Sequence, residues 1–310
     1  MRRLGYVLVG LGVFLLVLAP LAKFFMTPAL AKAPLDVYSE SISEGTATTL
    51  FDVSQLKVLK DVPVVSTRIT RGDVEASTDD RAVYDSFGRL EKKSDKSLIT
   101  ASQIRIPFER TSSIMVNCCG AETSGEPIED FKALAPFKFP FFTEQKSYQY
   151  WDETLNKGVP ARYAGEETVA GLSTYKFVMD IPDTKYAEIE VPGSLLGLDV
   201  ASVKADRSYS NTRTVWIEPM TGAVIKGQEA QKQTFSAQGK KFVAVAAEVG
   251  FTKENIADSA KTAEEGMSQL KLISQTIPLV GLIGGIIFLV LGLFLIRRGG
   301  SKDEGSAHAA

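Results

Sequence analysis

Two stretches, LGYVLVGLGVFLLVLAPLA (4–22) and LVGLIGGIIFLVLGLFLI (279–296), contain no charged residue and bracket the chain. At about 1.5 Å per residue, each forms a helix of roughly 27–28 Å, close to the hydrocarbon thickness of a bilayer. Met1-Arg2-Arg3 precedes the first and Arg297-Arg298 closes the second. The excess of positive charge on cytoplasmic flanks then predicts cytoplasmic termini and a large exoplasmic segment between the spans. Lys23, at the other end of the first span, snorkels to the headgroups. A cleaved signal peptide is the competing reading, with Ala29-Leu30-Ala31 as the small-x-small site, but the apolar run is longer than a usual h-region.

The remaining composition excludes more than it selects. The chain has 310 residues, 35 basic and 37 acidic, for a net charge of −2. No nucleic-acid or polybasic membrane-surface reading follows from that balance. The single histidine, His308, stands in the C-terminal tail. The exoplasmic segment therefore lacks the imidazole needed for a Ser-His-Asp triad, a Cys-His pair or a His-containing zinc site. Its two cysteines are neighbours, Cys118-Cys119. A vicinal disulfide, a bond to another chain, and a buried reduced pair in a turn before Gly120 are all open readings. No cofactor or metal is implied.

Between the spans the pattern is mainly β. The expected organisation is a cytoplasmic terminus (1–3), a membrane helix (4–26) and a Pro/Ala/Ser-rich linker (27–45). A β-rich domain (46–252), an amphipathic helix (253–276), a second membrane helix (277–296) and a disordered cytoplasmic tail (297–310) follow. Strand-length runs such as VPVVSTRIT, RAVYDSFGRL, SLITASQIRIPF, FKFPFF and STYKFVMDI are separated by Gly, Pro and Asp punctuation. Ile256, Ala260, Ala263, Met267, Leu270 and Ile273 recur at helical spacing. Gly5, Gly10 and Gly12 in the first span and Gly281-x-x-x-Gly285 in the second permit close helix packing.

Alternation places Tyr175, Phe177 and Met179 on one strand face and Lys176, Val178 and Asp180 on the other. RTVWIEPMTGAVIKGQEAQKQTF (213–235) reads as a hairpin turning at Pro219-Met220-Thr221-Gly222. The aromatic run 137–151 adds Phe139, Phe141, Tyr148 and Tyr150. Such a face either walls a pocket for an apolar ligand or is core. Glu166-Glu167 and the Glu188/Glu190 pair are acidic residues on wet strand faces rather than glycosidase carboxylates.

Gly165-Glu166-Glu167-Thr168-Val169-Ala170-Gly171, then Tyr175-Lys176-Phe177, then Trp216-Ile217-Glu218-Pro219-Met220-Thr221-Gly222 resemble the motif pair of LolA- and LppX-type lipid carriers. That resemblance covers roughly 162–235 and implies a curved antiparallel half-barrel sheltering acyl chains. The order of N-terminal span, Pro28-Ala29-Leu30, Asn117-Cys118-Cys119-Gly120, the 138–152 aromatic segment, these motifs and the terminal span is similar to the actinobacterial porin PorA family. Members include the mycobacterial polar-growth-factor type. The resemblance implies a two-pass inner-membrane protein of a mycolate-containing envelope that binds trehalose monomycolate and works with an MmpL-type lipid exporter. The combined expectation is a non-enzymatic lipid- or glycolipid-binding accessory of envelope assembly. Its acyl-chain wall would be Phe139, Phe141, Tyr148, Tyr150, Tyr175, Phe177, Met179 and Trp216, although the parity of Trp216 sets it opposite Val215 and Ile217. The alternatives are a scaffold without a ligand and a carboxylate-only enzyme acting on glycolipids.

Overall fold

The structure, a computed structural model, describes residues 2–53 and 55–300. The tail beyond Gly300, with His308, lies outside the described residues. The described residues form two compact units, one drawn from 1–32 and 265–310 and the other from 33–264.

The first unit is helical. α1 (Arg2–Leu21) runs through a π-turn, Ala22–Met26, into the short α2 (Thr27–Leu30). At the other end of the chain, α3 (Lys253–Lys271) leads through a second π-turn, Leu272–Thr276, into α4 (Ile277–Gly300). Both π-turns end two residues before a proline, Pro28 and Pro278. Proline has no N–H for the regular i−4 bond, and the residue before it bonds one position further back. Thr27 donates to the Ala22 carbonyl and Ile277 to that of Leu272.

α1 and α4 pack antiparallel. Gly5, Gly12 and Ala19, seven residues apart, are the buried residues of α1. A Cβ on Gly12 would lie 2.8 Å from the Gly285 carbonyl oxygen, and one on Gly5 would lie 2.8 Å from that of Gly292. Small residues let the two backbones approach, which supplies the dispersion contact that drives helix association where there is no hydrophobic effect to do so. Two segments, Arg2–Met26 and Lys253–Arg298, are long and apolar enough to cross a membrane.

The second unit is one curled antiparallel sheet. Its strands are β1 (Tyr38–Asp52), β2 (Lys57–Leu59), β3 (Val62–Gly72), β4 (Arg81–Lys92), β5 (Leu98–Glu109), β6 (Glu122–Thr123) and β7 (Glu126–Pro127). Then come β8 (Tyr148–Asp152), β9 (Lys157–Val169), β10 (Leu172–Pro192), β11 (Ser202–Glu218), β12 (Ala223–Ala237) and β13 (Lys240–Phe251). The order is β7-β6-β5-β4-β3-β1-β13-β12-β11-β10-β9-β8, with β2 pairing only with β1. Bulges at Ala47/Thr49, Ile181/Thr184 and Gln233/Thr234 bend the strands and increase their twist, which curls the sheet into a half-barrel.

The two margins of the half-barrel are stitched together at the end where β1 begins. Residues 113–116 and 133–135 form bridges from Phe108 to Met115, Ile114 to Leu134 and Leu134 to Tyr150. Met115 donates to the Ala133 carbonyl at 3.0 Å, Leu134 to that of Gln149 at 2.7 Å, and Trp151 back to that of Leu134 at 3.1 Å. The margin strands β5 and β8 thus find partners instead of exposing free N–H and C=O groups.

Two expectations need correction. The linker 27–45 does not extend to residue 45: β1 begins at Tyr38 and pairs with β3 from Tyr38↔Arg71 onward. Its sequence, YSESISEG, is too polar to read as a strand because neither of its faces is deeply buried. The run FKFPFF is not a strand. It is a non-repetitive loop whose Phe139 and Phe142 amides donate to the Gly222 and Met220 carbonyls. The helix expected from residue 253 starts at Lys253, where Thr252 Oγ1 accepts the Asn255 amide at 3.1 Å, an N-cap bond. Ala260 and Ala263 on the expected stripe are buried.

Candidate functional site

Alternation decides what each face of the sheet presents. Tyr175 pairs with Ile217, Phe177 with Val215 and Met179 with Arg213. All six therefore lie on the same, concave face. At the stitched end that face is filled by the 131–150 segment. Phe139 is fully buried with its ring centroid 4.6 Å from that of Phe177 and 5.7 Å from that of Tyr150. Tyr148 lies 5.5 Å from Phe139, and Tyr175 is 5.6 Å from Tyr163.

Six of the eight residues expected to wall an acyl pocket do come together: Phe139, Tyr148, Tyr150, Tyr175, Phe177 and Met179 belong to one apolar cluster. They pack on one another, and Phe139, Phe177 and Met179 have no exposed surface. Trp216 is on the opposite face. Its indole N–H donates to Glu167 at 2.6 Å, and Lys226 and Lys176 lie 4.0 and 5.3 Å from its ring. Phe141 stands outside the cluster, with the Lys138 ammonium 3.5 Å from its ring centroid.

The Trp216–Gly222 motif has a structural role. Glu218, only 2% exposed, accepts the amides of Met220 and Thr221 at 2.9 and 2.8 Å and fixes the turn. Gly222 has φ +74°, and a Cβ there would meet the Phe139 carbonyl oxygen at 2.1 Å. Glycine is therefore required both for the turn and for the seat of the aromatic loop.

Away from the stitched end, the concave face borders a concavity of about 1430 Å³. Of the eight expected residues only Tyr150 lines it. Its walls are mixed, with apolar surface interrupted by polar groups. β1 contributes Ser41 and Ser43, β3 contributes Ser66 and Arg68, and β12 contributes Gln231 and Gln233. Arg68 meets Glu153 at 2.5 Å and Ser86 Oγ at 3.3 Å. Arg213 reaches Glu229 at 2.6 Å and the fully buried Asp152 at 3.2 Å. Asn211 donates to both the Tyr209 hydroxyl, at 2.8 Å, and Glu229, at 3.2 Å. Arg207 donates to Gln233 at 2.8 Å.

Burial is the largest single influence on the Glu229 carboxyl and works to raise it, but the charge and hydrogen bond of Arg213, with Asn211 and Arg68, together hold Glu229 below the ordinary glutamate value. Asp152 goes the other way: burial pushes it up further than Arg213 pulls it down. Several buried polar atoms on this wall have no hydrogen-bond partner among the described residues, namely Trp151 Nε1, Glu153 Oε2, Asn156 Oδ1 and Arg207 Nε. Unpaired buried polar atoms cost stability unless water or a ligand supplies the missing bonds.

The charged wall escaped sequence reading, although one signal pointed to it. Arg213 has the same strand parity as Val215 and Ile217, so a cation shares a face with core residues. The cysteines are joined as a disulfide between chain neighbours, next to Arg105, which donates to the Cys119 carbonyl at 2.8 Å and binds Asp85 and Asp73.

The Porin PorA family model matches residues 4–294. A relative named Porin PorA in Corynebacterium amycolatum is 26% identical over 320 residues, covering 82% of this chain and 83% of its own. Another of the same name in Corynebacterium resistens is 22% identical over 401 residues, covering 94% of this chain and 95% of its own.

Proposed function

The chain belongs to the Porin PorA family, and from that premise we propose that it is a membrane-anchored, non-enzymatic receptor for a glycolipid whose sugar headgroup occupies the half-barrel concavity. The observation that carries this reading is the chemistry of the wall. Serine hydroxyls, glutamine amides and paired Arg–Glu groups face a space of about 1430 Å³, and buried donors and acceptors there lack partners. A polyhydroxylated ligand offers donors and acceptors together, which matches such a wall. An acyl chain offers neither, and the aromatic cluster once expected to hold it is packed on itself.

In this reading both termini are cytoplasmic and the half-barrel is exoplasmic. The resemblance to the polar-growth-factor type extends the reading to an MmpL-type exporter as partner in envelope assembly.

The name porin invites a second reading, a pore of membrane-crossing strands. Such strands need an outward apolar band. The convex face here carries Arg162–Asp180 and Lys176–Glu167 ion pairs. That charge speaks for helices, rather than strands, as the crossing elements.

Native mass spectrometry of the full chain purified in detergent from its own membranes tests the reading. A co-purifying glycolipid lost in Arg213→Met would support it. An empty chain under conditions that keep it folded would leave the scaffold alternative. Reporter fusions at Gly125 and Ser301 should report opposite sides of the membrane, and the same side would end the topology.

A further inference from the structure

The loop that seats the aromatic cluster also carries Lys138 to the concavity, which it helps line. Its ammonium nitrogen is fully buried and has no hydrogen-bond partner among the described residues. One side of it rests on the Phe141 ring, 3.5 Å from the centroid. A ring face attracts a cation but accepts none of its three N–H bonds in the way an oxygen does. Two other cations of the wall differ. Arg68 and Arg213 each have a carboxylate, Glu153 and Glu229, at 2.5 and 2.6 Å. Among the described residues Lys138 forms no ion pair, and burial lowers its titration to about 7. A buried, uncompensated ammonium is costly to keep. A ligand anion would remove that cost and form a charge-assisted bond, the strongest kind of hydrogen bond.

We propose that Lys138 forms an anion-binding subsite of the concavity and that the headgroup bound there carries a carboxylate on its polyhydroxylated ring. The proposal rests on the glycolipid reading and narrows it from neutral to acidic headgroups. The hydroxyl and amide wall takes the ring, and Lys138 takes the carboxylate.

The test uses the full chain in phosphatidylcholine nanodiscs, with empty nanodiscs as the blank. It is titrated with octyl β-D-glucuronide and octyl β-D-glucoside, which differ by one carboxylate. The glucuronide should bind about tenfold more tightly at pH 6, the size of one hydrogen bond to a charged group. Lys138→Met should abolish the preference and Lys138→Arg retain it. The melting temperature of Lys138→Met should equal or exceed that of the parent, so that loss of preference cannot come from unfolding. Equal affinities for the two amphiphiles would overturn the anion subsite and leave the glycolipid reading standing. A preference that survives in Lys138→Met would place the anion elsewhere and overturn the assignment. Displacement of the glucuronide by inorganic phosphate at equal concentration would identify a free-anion site and overturn the headgroup assignment. Binding of neither amphiphile would overturn both readings.

Discussion

Arg68 of β3 and Glu153, just past β8, meet at 2.5 Å although β8 is the last strand of the sheet and β3 lies on the far side of β1. An ion pair between strands so far apart in the hydrogen-bonded order is a direct consequence of the curl. The Leu134 bridges then make closure continuous in the backbone.

Arg68→Met leaves Glu153 half-buried beside a side chain that cannot hydrogen-bond to it. The expected loss is about 1–3 kcal/mol of stability. Thermal denaturation of the full chain in detergent measures it. The double change Arg68→Met/Glu153→Gln should recover part of the loss, and strict additivity would show that the two residues are not coupled.

Phe177 is a core residue. Phe177→Ala should cost about 3–5 kcal/mol by opening a cavity among Phe139, Tyr148 and Tyr163. Lys176→Ala, on the convex face, should cost much less. If Phe177→Ala melts with the parent, the cluster is looser than its ring contacts imply.

The two apolar helices supply their own control. Gly12→Ile places atoms against the Gly285 carbonyl and should separate α1 from α4, lowering the melting temperature in detergent. A Cβ added at Gly10 meets nothing within 4 Å, so Gly10→Ile should have little effect. Equal effects would show that α1 presents a different face to α4.

Lys138 predicts a pH dependence. Its folded value, about 7, lies below the ordinary lysine value of 10.5. Between these values the unfolded chain binds the proton and the folded chain does not, so ligand-free stability rises with pH across that window. The destabilisation is complete below pH 7 and has been relieved by pH 10.5. Melting curves of Lys138→Met, compared with the parent over this range, should lack this rise.

Much of the architecture could be read from the chain. Two uncharged runs specify membrane-length helices by hydropathy alone. Strict alternation at Tyr175, Phe177 and Met179 predicts a shared face, and their pairing with Ile217, Val215 and Arg213 bears that parity out. The helix from Lys253 was legible in its spacing. β1 was not, because Tyr38, Ser39, Glu40 and Ser41 lack the apolar signal by which strands are recognised. Its pairing comes from backbone bonds to β3 and β13. Trp216 was misplaced because a motif was allowed to override parity.

What the sequence determined by itself is local: which runs are apolar, where they turn, and which side chains share a face, because periods of 2 and 3.6 residues follow from backbone geometry alone. What only the tertiary structure decided is the character of the concavity. Arg68 with Glu153, 85 residues apart, and the unpaired ammonium of Lys138 became neighbours of one cavity through curl, bulges and the 131–150 loop. Those long-range placements depend on sheet curvature, which no local period encodes, and they set charged and hydrogen-bonding groups beside the apolar part of the concave face.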